Sequence, residues 1–327
     1  MRLFVTGGAG FIGSNFVRMA LRGELVGLED AEITVFDALT YSGTLTNLEA
    51  VKDSPRYSFI QGDIRNEDAV RSALPGHDAI IHFAAESHVD RSVHNSRIFV
   101  ETNVVGTQTL LDQALALGIP RFVHISTDEV YGSIDSGSWD ENEPLLPNSP
   151  YSASKAASDL LVRSYFVTHG LNASITRCSN NYGPHHFPEK VIPLFVTNLL
   201  DGHPVPLYGD GLNVRDWLHV DDHCRGISLV LQNGQPGEIY NIGGGTELSN
   251  TELTDLLLAA TGRDKSFVTA VRDRKGHDRR YSVDISKISH DLGYQPQVGF
   301  TSGLADVVQW YRDNRQWWEP LKERAGL

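Results

Sequence analysis

The glycine turn TGGAGFIG, at residues 6–13, constrains the fold of this chain more than any other feature of its sequence. Gly7, Gly10 and Gly13 directly follow a short apolar run and directly precede a helical pattern. Because glycine has no side chain, the backbone can turn tightly here and approach a pyrophosphate, which the free N–H groups of the next helix would bind. A glycine turn can also simply join a strand to a helix, but its place at the start of a strand–helix series favours dinucleotide binding.

Strand and helix patterns alternate regularly through the first half of the chain. Apolar runs rich in β-branched residues predict strands at residues 3–6, 33–37, 57–61, 79–83, 121–127 and 173–177. Amphipathic patterns predict helices at residues 11–22, 67–74, 100–117 and 151–169. Regular β-α alternation predicts an α/β protein with a doubly wound, parallel Rossmann sheet covered by helices on both faces.

The pattern changes near residue 180, where loops become frequent. Predicted helices at residues 191–200, 221–231, 250–261 and 303–314 are separated by brief strands. We therefore expect a dinucleotide-binding Rossmann domain at residues 1–180 and, at residues 181–327, mainly a smaller α/β lobe for a second ligand. This division leaves open a crossing of the chain back to the first domain.

Charge and cysteine content narrow the class of protein. The chain has 41 acidic and 28 basic side chains, which argues against binding nucleic acid through clustered Lys and Arg. Cys178 and Cys224 are far apart and in no C-x-x-C motif, so neither a disulfide framework nor a structural zinc site is expected. Glycines interrupt the first apolar run and no later stretch has the length of a membrane span, so we expect a soluble, cytoplasmic protein.

Two histidine pairs, at residues 82/88 and 185/186, raise the question of a metal site. Neither pair belongs to a set of His, Cys and Asp at the spacing that zinc requires. His124 and His219 fall in strand-like runs and are expected in the core. We therefore expect no metal ion.

Asp37 ends the second predicted strand, where a dinucleotide fold places an acid that accepts hydrogen bonds from the adenosine ribose. Its charge would repel a 2′-phosphate, and no Arg or Lys stands beside it, so NAD is favoured over NADP. Asp37 could alternatively cap the next turn. Asp63 and Ile64 follow the third strand, where a carboxylate could meet the adenine amino group, although GDIR alone would indicate only a turn.

Tyr151 and Lys155 lie four residues apart on a helix that Ser149 and Pro150 would open, so both side chains leave the same face. A phenol, with a reference pKa of about 10, is a poor base at neutral pH. A neighbouring ammonium and an oxidised nicotinamide would lower the pKa of Tyr151 and make it a general base. By itself such a pair is also common on solvated helix surfaces.

The glycine turn, the Y-x-x-x-K pair and a hydroxyl residue, Thr127, at the end of the fifth strand resemble the extended short-chain dehydrogenase/reductase family. Asp128 and Glu129 follow Thr127 in the segment STDEVYG. The segments DALTYSG, HFAAESHVDRS, CSNNYGPHHFPEKVIP and DRKGHDRRY extend the similarity, over essentially the whole chain, to the members of that family that dehydrate nucleotide sugars.

The resemblance implies NAD as cofactor and dTDP-glucose as substrate, converted to dTDP-4-keto-6-deoxyglucose. In this scheme Tyr151 takes the proton of the 4-hydroxyl, while Thr127 and Lys155 polarise the oxygen. Glu129 then removes the C5 proton and Asp128 protonates the departing 6-hydroxyl. Neighbouring carboxyl groups in different environments can hold one protonated and one ionised, but the assignment of the acid and the base comes from the family.

The resemblance also implies two sets of binding residues. The implied cofactor pocket comprises Gly7, Gly10, Phe11, Ile12, Gly13, Asp37, Leu39, Thr40, Asp63, Ile64, Phe83, Ala84, Ala85, Ser87, Thr102, Tyr151, Lys155 and Asn181. The implied substrate contacts are Ser87, Thr127, Asn180, Glu189, Lys190, Val191, Pro206, Tyr208, Arg215, Asn250, Arg274 and His277. The guanidinium groups of Arg215 and Arg274 suit a diphosphate, and the ring of Tyr208 suits stacking on thymine.

The helices at residues 100–117 and 151–169 carry apolar residues on more than one face, and the family implies a homodimer in which they form a four-helix bundle.

The alternative within the fold is a nucleotide-sugar 4-epimerase or decarboxylase, which needs no acid–base pair such as Asp128 and Glu129. A protein that binds NAD without catalysis would not need the Tyr151/Lys155 pair. The residues do not distinguish thymidine from uridine or one deoxysugar pathway from another.

Overall fold

The computed structural model describes residues 1–327 as alternating strands and helices. The strands are β1 (Arg2–Thr6), β2 (Glu32–Asp37), β3 (Tyr57–Gln61), β4 (Ala79–His82), β5 (Arg121–Thr127), β6 (Ala173–Cys178), β7 (Asn180–Tyr182), β8 (Val205–Tyr208), β9 (Val214–His219), β10 (Ile239–Ile242), β11 (Glu247–Ser249) and β12 (Val268–Val271). The α-helices are α1 (Phe11–Leu21), α2 (Glu67–Ala73), α3 (Val89–His94), α4 (Ser96–Phe99), α5 (Gly106–Leu117), α6 (Pro150–His169), α7 (Val191–Asp201), α8 (Val220–Asn233), α9 (Asn250–Thr261), α10 (Ser286–Leu292), α11 (Phe300–Asp313) and α12 (Arg315–Ala325). None of these helices is long and apolar enough to cross a bilayer.

The centre of the fold is a seven-stranded sheet in the order β10-β6-β5-β4-β1-β2-β3. All of its strand pairs are parallel. From β1 the chain first builds outward through β2 and β3, and then returns to place β4 on the other side of β1. This reversal opens a crevice at the carboxyl ends of the strands, where open α/β sheets bind ligands. The predicted doubly wound Rossmann fold is confirmed.

The two faces of the sheet have separate cores because successive side chains of a strand point to opposite faces. In β1, Leu3 and Val5 pack with residues of α1 and α8, such as Phe16 and Ile227. Phe4 instead belongs to the core formed with α2, α5 and α6. Each face is therefore covered by helices.

The strand β10 lies beside β6 at the edge of the central sheet, although it comes from the second half of the chain. A three-stranded sheet (β11-β9-β7) and a two-stranded sheet (β12-β8) make up the smaller lobe with α7, α9, α11 and α12. Trp318 is fully buried in the core of this lobe. A division of the chain into two domains near residue 180 stays a prediction, and any such division has to assign β10 to the first sheet.

The helix predicted at residues 100–117 is not α-helical throughout. The stretch predicted as a helix at residues 100–117 begins with a π-helical turn, Val100–Val105, before α5. Within this turn Asn103 is buried and binds the backbone of Glu86 through both ends of its amide, at 2.8 and 3.0 Å, and Ser154 of α6 at 2.8 Å. The wider turn thus holds the loop after β4 against α6, and π-turns of this kind are frequent at functional sites.

Candidate active site

A cleft of about 320 Å³ opens at the carboxyl ends of the central strands. All five predicted catalytic residues line it: Thr127, Asp128, Glu129, Tyr151 and Lys155. Every residue predicted to bind the cofactor also lines it except Leu39. Leu39 instead forms the turn after β2, with a φ of +52° and its N–H bonded to Asp37.

The glycine turn forms one end of the cleft. Gly7 has a φ of +70°, and a Cβ atom there would lie 2.5 Å from the backbone nitrogen of Ala84. A Cβ atom at Gly13 would collide with the carbonyl oxygen of Gly7. Gly10 precedes α1 and supplies no side-chain cap, so the first N–H groups of α1 face the cleft without a side-chain partner. The turn has the open backbone and the helix N-terminus that a pyrophosphate requires.

Asp37 is 8% exposed. Its position suits both roles considered from the sequence, which are capping the next turn and accepting hydrogen bonds from a ribose. Its Oδ1 accepts the N–H of Leu39 at 2.8 Å and its Oδ2 accepts the N–H of Ala9 at 2.9 Å. Burial raises the pKa of Asp37, and these two hydrogen bonds oppose that shift. Asp37 therefore caps the turn that follows it and at the same time lines the cleft, where its remaining lone pairs can accept hydrogen bonds.

Asp128 and Glu129 start a short 3₁₀-helix, Asp128–Tyr131, directly after β5. Thr127 caps it, because its Oγ1 accepts the N–H of Glu129 at 3.2 Å and donates to Asp128 Oδ1 at 3.2 Å. Burial, together with the charges of Glu129 and Asp216, raises the pKa of Asp128 well above its usual range. Burial and these charges thus favour the protonated form of Asp128.

Glu129 has a different environment. Burial raises its pKa, but the positive charges of Arg274, Arg215 and Lys190 oppose that shift. Arg274 and Arg215 come from the smaller lobe, so the charge balance at Glu129 depends on both parts of the molecule. Asp128 also has Arg215 and the hydrogen bond from Thr127 opposing its shift, but it has neighbouring carboxylates that raise its pKa, whereas three cations act on Glu129. Different environments of this kind can separate the pKa values of two carboxyl groups.

Tyr151 and Lys155 lie in the first turns of α6, which begins as predicted. Ser149 and Ser152 form a capping box, and Pro150 occupies the first turn. Tyr151 is 9% exposed, and burial and the charge of Glu129 raise its pKa well above 10. The ammonium group of Lys155 donates to the carbonyl oxygen of Ile125 at 2.7 Å. That Lys155 and an oxidised nicotinamide together lower the pKa of Tyr151 stays a prediction.

The buried polar side chains of His124, Asp159 and Arg177 surround Lys155 on the side away from the cleft. Its Nζ lies 3.4 Å from Nε2 of His124, whose pKa burial and the charge of Lys155 hold well below the usual range. Burial lowers the pKa of Lys155 to about 8, while the negative charge of Asp159 opposes that shift. Asp159 also pairs with Arg177 at 2.9 Å. This neutral imidazole and the buried ion pair fix the direction in which Lys155 points.

The predicted substrate residues divide into two groups. Ser87, Thr127, Asn180, Glu189 and Lys190 line the cleft. The others lie outside its lining: Val191, Pro206, Tyr208, Arg215, Asn250, Arg274 and His277. Two of these nevertheless influence the carboxyl pair, since the positive charges of Arg274 and Arg215 oppose the rise that burial causes in the pKa of Glu129.

Several residues of the cleft were not singled out from the sequence. They include Tyr41, Ser42, Gly43, Arg65, Glu86, Ile98, Cys178, His186 and Phe187. Tyr41 is held by Arg91, whose guanidinium lies 4.0 Å from the ring centre and pairs with Glu189 at 2.9 Å. Tyr41 and Glu86 occur within segments that carry the family resemblance, but loop positions have no periodicity that marks which side chain faces a ligand. No group of three or more His, Cys, Asp or Glu side chains is placed to hold a metal ion.

The Rossmann sheet, the glycine turn and the Tyr/Lys pair define an extended short-chain dehydrogenase/reductase. The sequence model of the GDP-mannose 4,6 dehydratase family matches residues 4–307. The dTDP-glucose 4,6-dehydratase of Streptomyces antibioticus is 61% identical over 327 residues, which cover 100% of this chain and 97% of the relative. That of Neisseria meningitidis serogroup B is 48% identical, with 97% and 95% covered.

Solved structures of related proteins have the same fold as this chain. DesIV, a dTDP-glucose 4,6-dehydratase from Streptomyces venezuelae solved with NAD and TYD bound, superimposes with a TM-score of 0.98 at 62% identity and covers 98% of this chain and 100% of its own. A UDP-glucose 4-epimerase from Thermus thermophilus, in complex with NAD, gives a TM-score of 0.87 at 31% identity, with 96% and 100% covered. The chain belongs to the GDP-mannose 4,6 dehydratase family.

Replacing Gly7 by alanine tests the close approach of the glycine turn to β4. Gly23 is a matched control, since its φ is +73° but no atom lies within 4 Å of an added Cβ. Gly23→Ala should lower the free energy of unfolding by about 1–2 kcal/mol, through backbone strain alone. Gly7→Ala should lower it further and weaken NAD binding at least about tenfold, equivalent to about 1.4 kcal/mol. Denaturant unfolding and NAD titration measure both effects, and equal NAD affinity in the two variants would contradict the prediction.

Proposed function

We propose that this chain is a hydro-lyase of deoxysugar biosynthesis that converts dTDP-glucose to dTDP-4-keto-6-deoxyglucose and water. The observation that carries the proposal is the carboxyl pair Asp128/Glu129, in which burial raises the pKa of Asp128 well above its usual range. This pair lines the same cleft as Tyr151, Lys155 and the glycine turn. A redox site and an acid–base pair in one cleft suit a reaction that oxidises a sugar and eliminates water from it.

The residues of the cleft fit NAD as a resident cofactor. Gly7 lets the turn pack directly against the backbone of Ala84, and the N-terminus of α1 has no side-chain cap where a pyrophosphate would bind. Asp37 stands at the end of β2 with free acceptor capacity. Buried polar atoms along the cleft, Oγ of Ser126 and Oδ1 of Asn180, have no protein partner. When bound, NAD would accept a hydride from C4 and supply it again at C6, and its oxidised form would add positive charge to the cleft.

In the oxidation step Tyr151 takes the proton of the 4-hydroxyl as C4 loses its hydrogen. Burial and the charge of Glu129 hold the pKa of Tyr151 high, so it becomes a base only when positive charge gathers in the cleft. Thr127 and Lys155 stabilise the oxygen of the developing ketone. A hydroxyl and an ammonium placed in a buried site stabilise such charge more strongly than water does.

In the elimination step the new 4-ketone acidifies the C5 hydrogen. Glu129 removes this proton, and Asp128, in its protonated form, gives a proton to the departing 6-hydroxyl. Burial favours that form of Asp128 because it raises the pKa of the carboxyl group. Water leaves and a C5–C6 double bond forms. After hydrogen returns to C6 and Glu129 returns a proton to C5, the product has a 4-ketone and a 6-methyl group. The hydride removed from C4 returns at C6, so the cycle has no net redox change. Before the next turnover Tyr151 releases one proton to solvent and Asp128 takes one up, so the protons also balance.

A nucleotide-sugar 4-epimerase on the same fold is the alternative. Epimerisation at C4 requires oxidation and reduction at one carbon, and no acid or base at C5 and C6. Two adjacent carboxyl groups buried beside the redox residues would then have no task and would only cost desolvation free energy. The carboxyl pair therefore favours the dehydratase.

We also propose that the chain acts as a cytoplasmic homodimer. Apolar side chains are exposed on neighbouring helices, with Leu160 58% and Val167 62% exposed on α6, and Val105 45% exposed just before α5. Pairing this surface with a second copy would place two helices from each subunit in a four-helix bundle. Cys178 and Cys224 are buried free thiols, which is consistent with a reducing compartment.

The proposed activity is tested by incubating the protein and NAD with dTDP-, UDP- and GDP-glucose in parallel. We expect a 4-keto-6-deoxy product, identified by NMR, to form from dTDP-glucose at a higher kcat/KM than from the other two. Tight binding of dTDP-glucose without turnover would contradict the enzymatic proposal, and a C4 epimer as product would establish the alternative.

Three variants separate the oxidation step from the elimination step. Tyr151→Phe should prevent oxidation at C4 and lower kcat by at least about a hundredfold. Glu129→Gln and Asp128→Asn should still oxidise C4 and then stall, with the absorbance of reduced cofactor accumulating in stopped-flow measurements. Glu129→Gln should also lose exchange of the C5 hydrogen with solvent deuterium, whereas Asp128→Asn should keep some exchange. If the two amide variants produce no reduced cofactor, the carboxyl groups position the sugar and do not carry out elimination.

Two surface substitutions test the dimer. Leu160→Asp combined with Val167→Asp should convert the dimer to a monomer in sedimentation velocity, because charge would be buried in the bundle. Val26→Asp is the control, since Val26 is 83% exposed outside both helices and should leave the dimer intact. A wild-type monomer at micromolar concentration would contradict the proposed assembly.

A further inference from the structure

Asn47 connects the C-terminal helix α12 to the glycine turn, in a part of the molecule that the proposed mechanism does not use. It is 2% exposed and lies in a short 3₁₀-helix, Leu45–Val51. Its Nδ2 donates to the carbonyl oxygen of Ala9 at 2.9 Å, and its Oδ1 accepts Nε1 of Trp317 at 3.0 Å. An indole N–H can only donate and a carbonyl can only accept, so these two partners fix the orientation of the amide.

Ala9 is the residue of the glycine turn that these contacts hold. Besides the bond from Asn47, its carbonyl accepts the N–H of Thr44 at 3.1 Å, and its own N–H donates to Asp37 at 2.9 Å. The carbonyl of Asn47 also accepts Nη1 of Arg18, on α1, at 2.6 Å. The side chain of Asn47 therefore ties the glycine turn to α12, and its backbone carbonyl ties the same residue to α1. Ala9 in turn bonds to the loop that follows Asp37.

A second contact of α12 reaches the same end of the cleft. Nη2 of Arg324 lies 3.4 Å from the carbonyl oxygen of Gly43, and its guanidinium lies 5.9 Å from the ring centre of Phe187. Gly43 and Phe187 both line the cleft. The C-terminal helix thus supports two parts of the expected cofactor wall from outside without lining the cleft itself.

We infer that Trp317 and Asn47 are positioning residues that retain the cofactor by holding the glycine turn in its binding conformation. The inference rests on the proposed function, in which the hydride removed at C4 returns at C6. The cofactor is then regenerated in each turnover and can stay bound. Backbone N–H groups bind a pyrophosphate only in the geometry that the turn gives them. Anchoring Ala9 beforehand lowers the entropy that binding must remove, and so slows release of the cofactor.

Trp317→Phe tests this inference because it removes the Nε1 donor and keeps an aromatic ring. Trp310→Phe is the matched control, since Trp310 packs 5.1 Å from Trp317 in the same aromatic cluster but gives no hydrogen bond to Asn47. The holoenzyme is loaded with labelled NAD, diluted into excess unlabelled NAD, and the release rate is measured. We expect Trp317→Phe to release NAD about fivefold faster, the effect of one lost hydrogen bond of about 1 kcal/mol, and Trp310→Phe to match the wild type.

A second variant, Asn47→Asp, keeps the shape and the acceptor for Trp317 but removes the donor to Ala9. It should release NAD faster than Trp317→Phe does, because a carboxylate oxygen would face the Ala9 carbonyl. Excess NAD should restore turnover in both variants, which separates retention from chemistry, and thermal unfolding verifies their folding. If Asn47→Asp does not fold, Trp317→Phe decides alone.

Two results would overturn the inference: wild-type release rates in Trp317→Phe, or equal acceleration in Trp317→Phe and Trp310→Phe, which would indicate general packing. These outcomes concern NAD alone and are independent of the substrate. A wild-type protein that retains NAD but forms no keto sugar would instead refute the proposed function and leave the role of Asn47 in place.

Discussion

The close approach of the glycine turn to the end of β4 is the constraint on which the site depends. Gly7 lies so near the backbone of Ala84 that no side chain fits between them, and this contact occurs where the strand order of the sheet reverses. It directs the N-terminus of α1 into the crevice that the reversal opens. The next strand beyond β4 is β5, whose end carries Thr127 and the carboxyl pair. A pyrophosphate site and an acid–base pair thereby come to share one cleft.

Burial in that cleft helps a group that must act as an acid and hinders a group that must act as a base. It favours the neutral form of every ionisable side chain, raising the pKa of Asp128 and Tyr151 and lowering that of Lys155. For an acid that must hold a proton, this shift is useful as it stands. For a base it is an obstacle, and only added positive charge removes it. Burial therefore favours a proton on Asp128 and opposes ionisation of Tyr151, and in the proposed mechanism the positive charge of the oxidised cofactor would offset the effect on Tyr151.

The sequence predicts the features that local chemistry specifies and misses those set by distant contacts. Strands β1 to β6 and helix α6 follow from periodicity, the glycine turn and the Ser149/Pro150 start. The return of β10 to the first sheet depends on a pairing with β6, distant along the chain, that no local pattern encodes. The burial of Tyr151 and the hydrogen bond from Lys155 to Ile125 escape local patterns for a related reason, because both are properties of the folded cleft.

The smaller lobe completes the electrostatics of the carboxyl pair. Burial raises the pKa of Glu129, and the positive charges of Arg215 and Arg274 lower it again. In the protein alone these arginines therefore make Glu129 a weaker base than burial by itself would. A substrate diphosphate bound near these arginines would neutralise part of their charge, and the pKa of Glu129 would then rise toward the value that suits a general base near neutral pH. Two lobes acting on one carboxylate would in this way link the basicity of Glu129 to the presence of a nucleotide diphosphate, which is the part of the substrate that does not react.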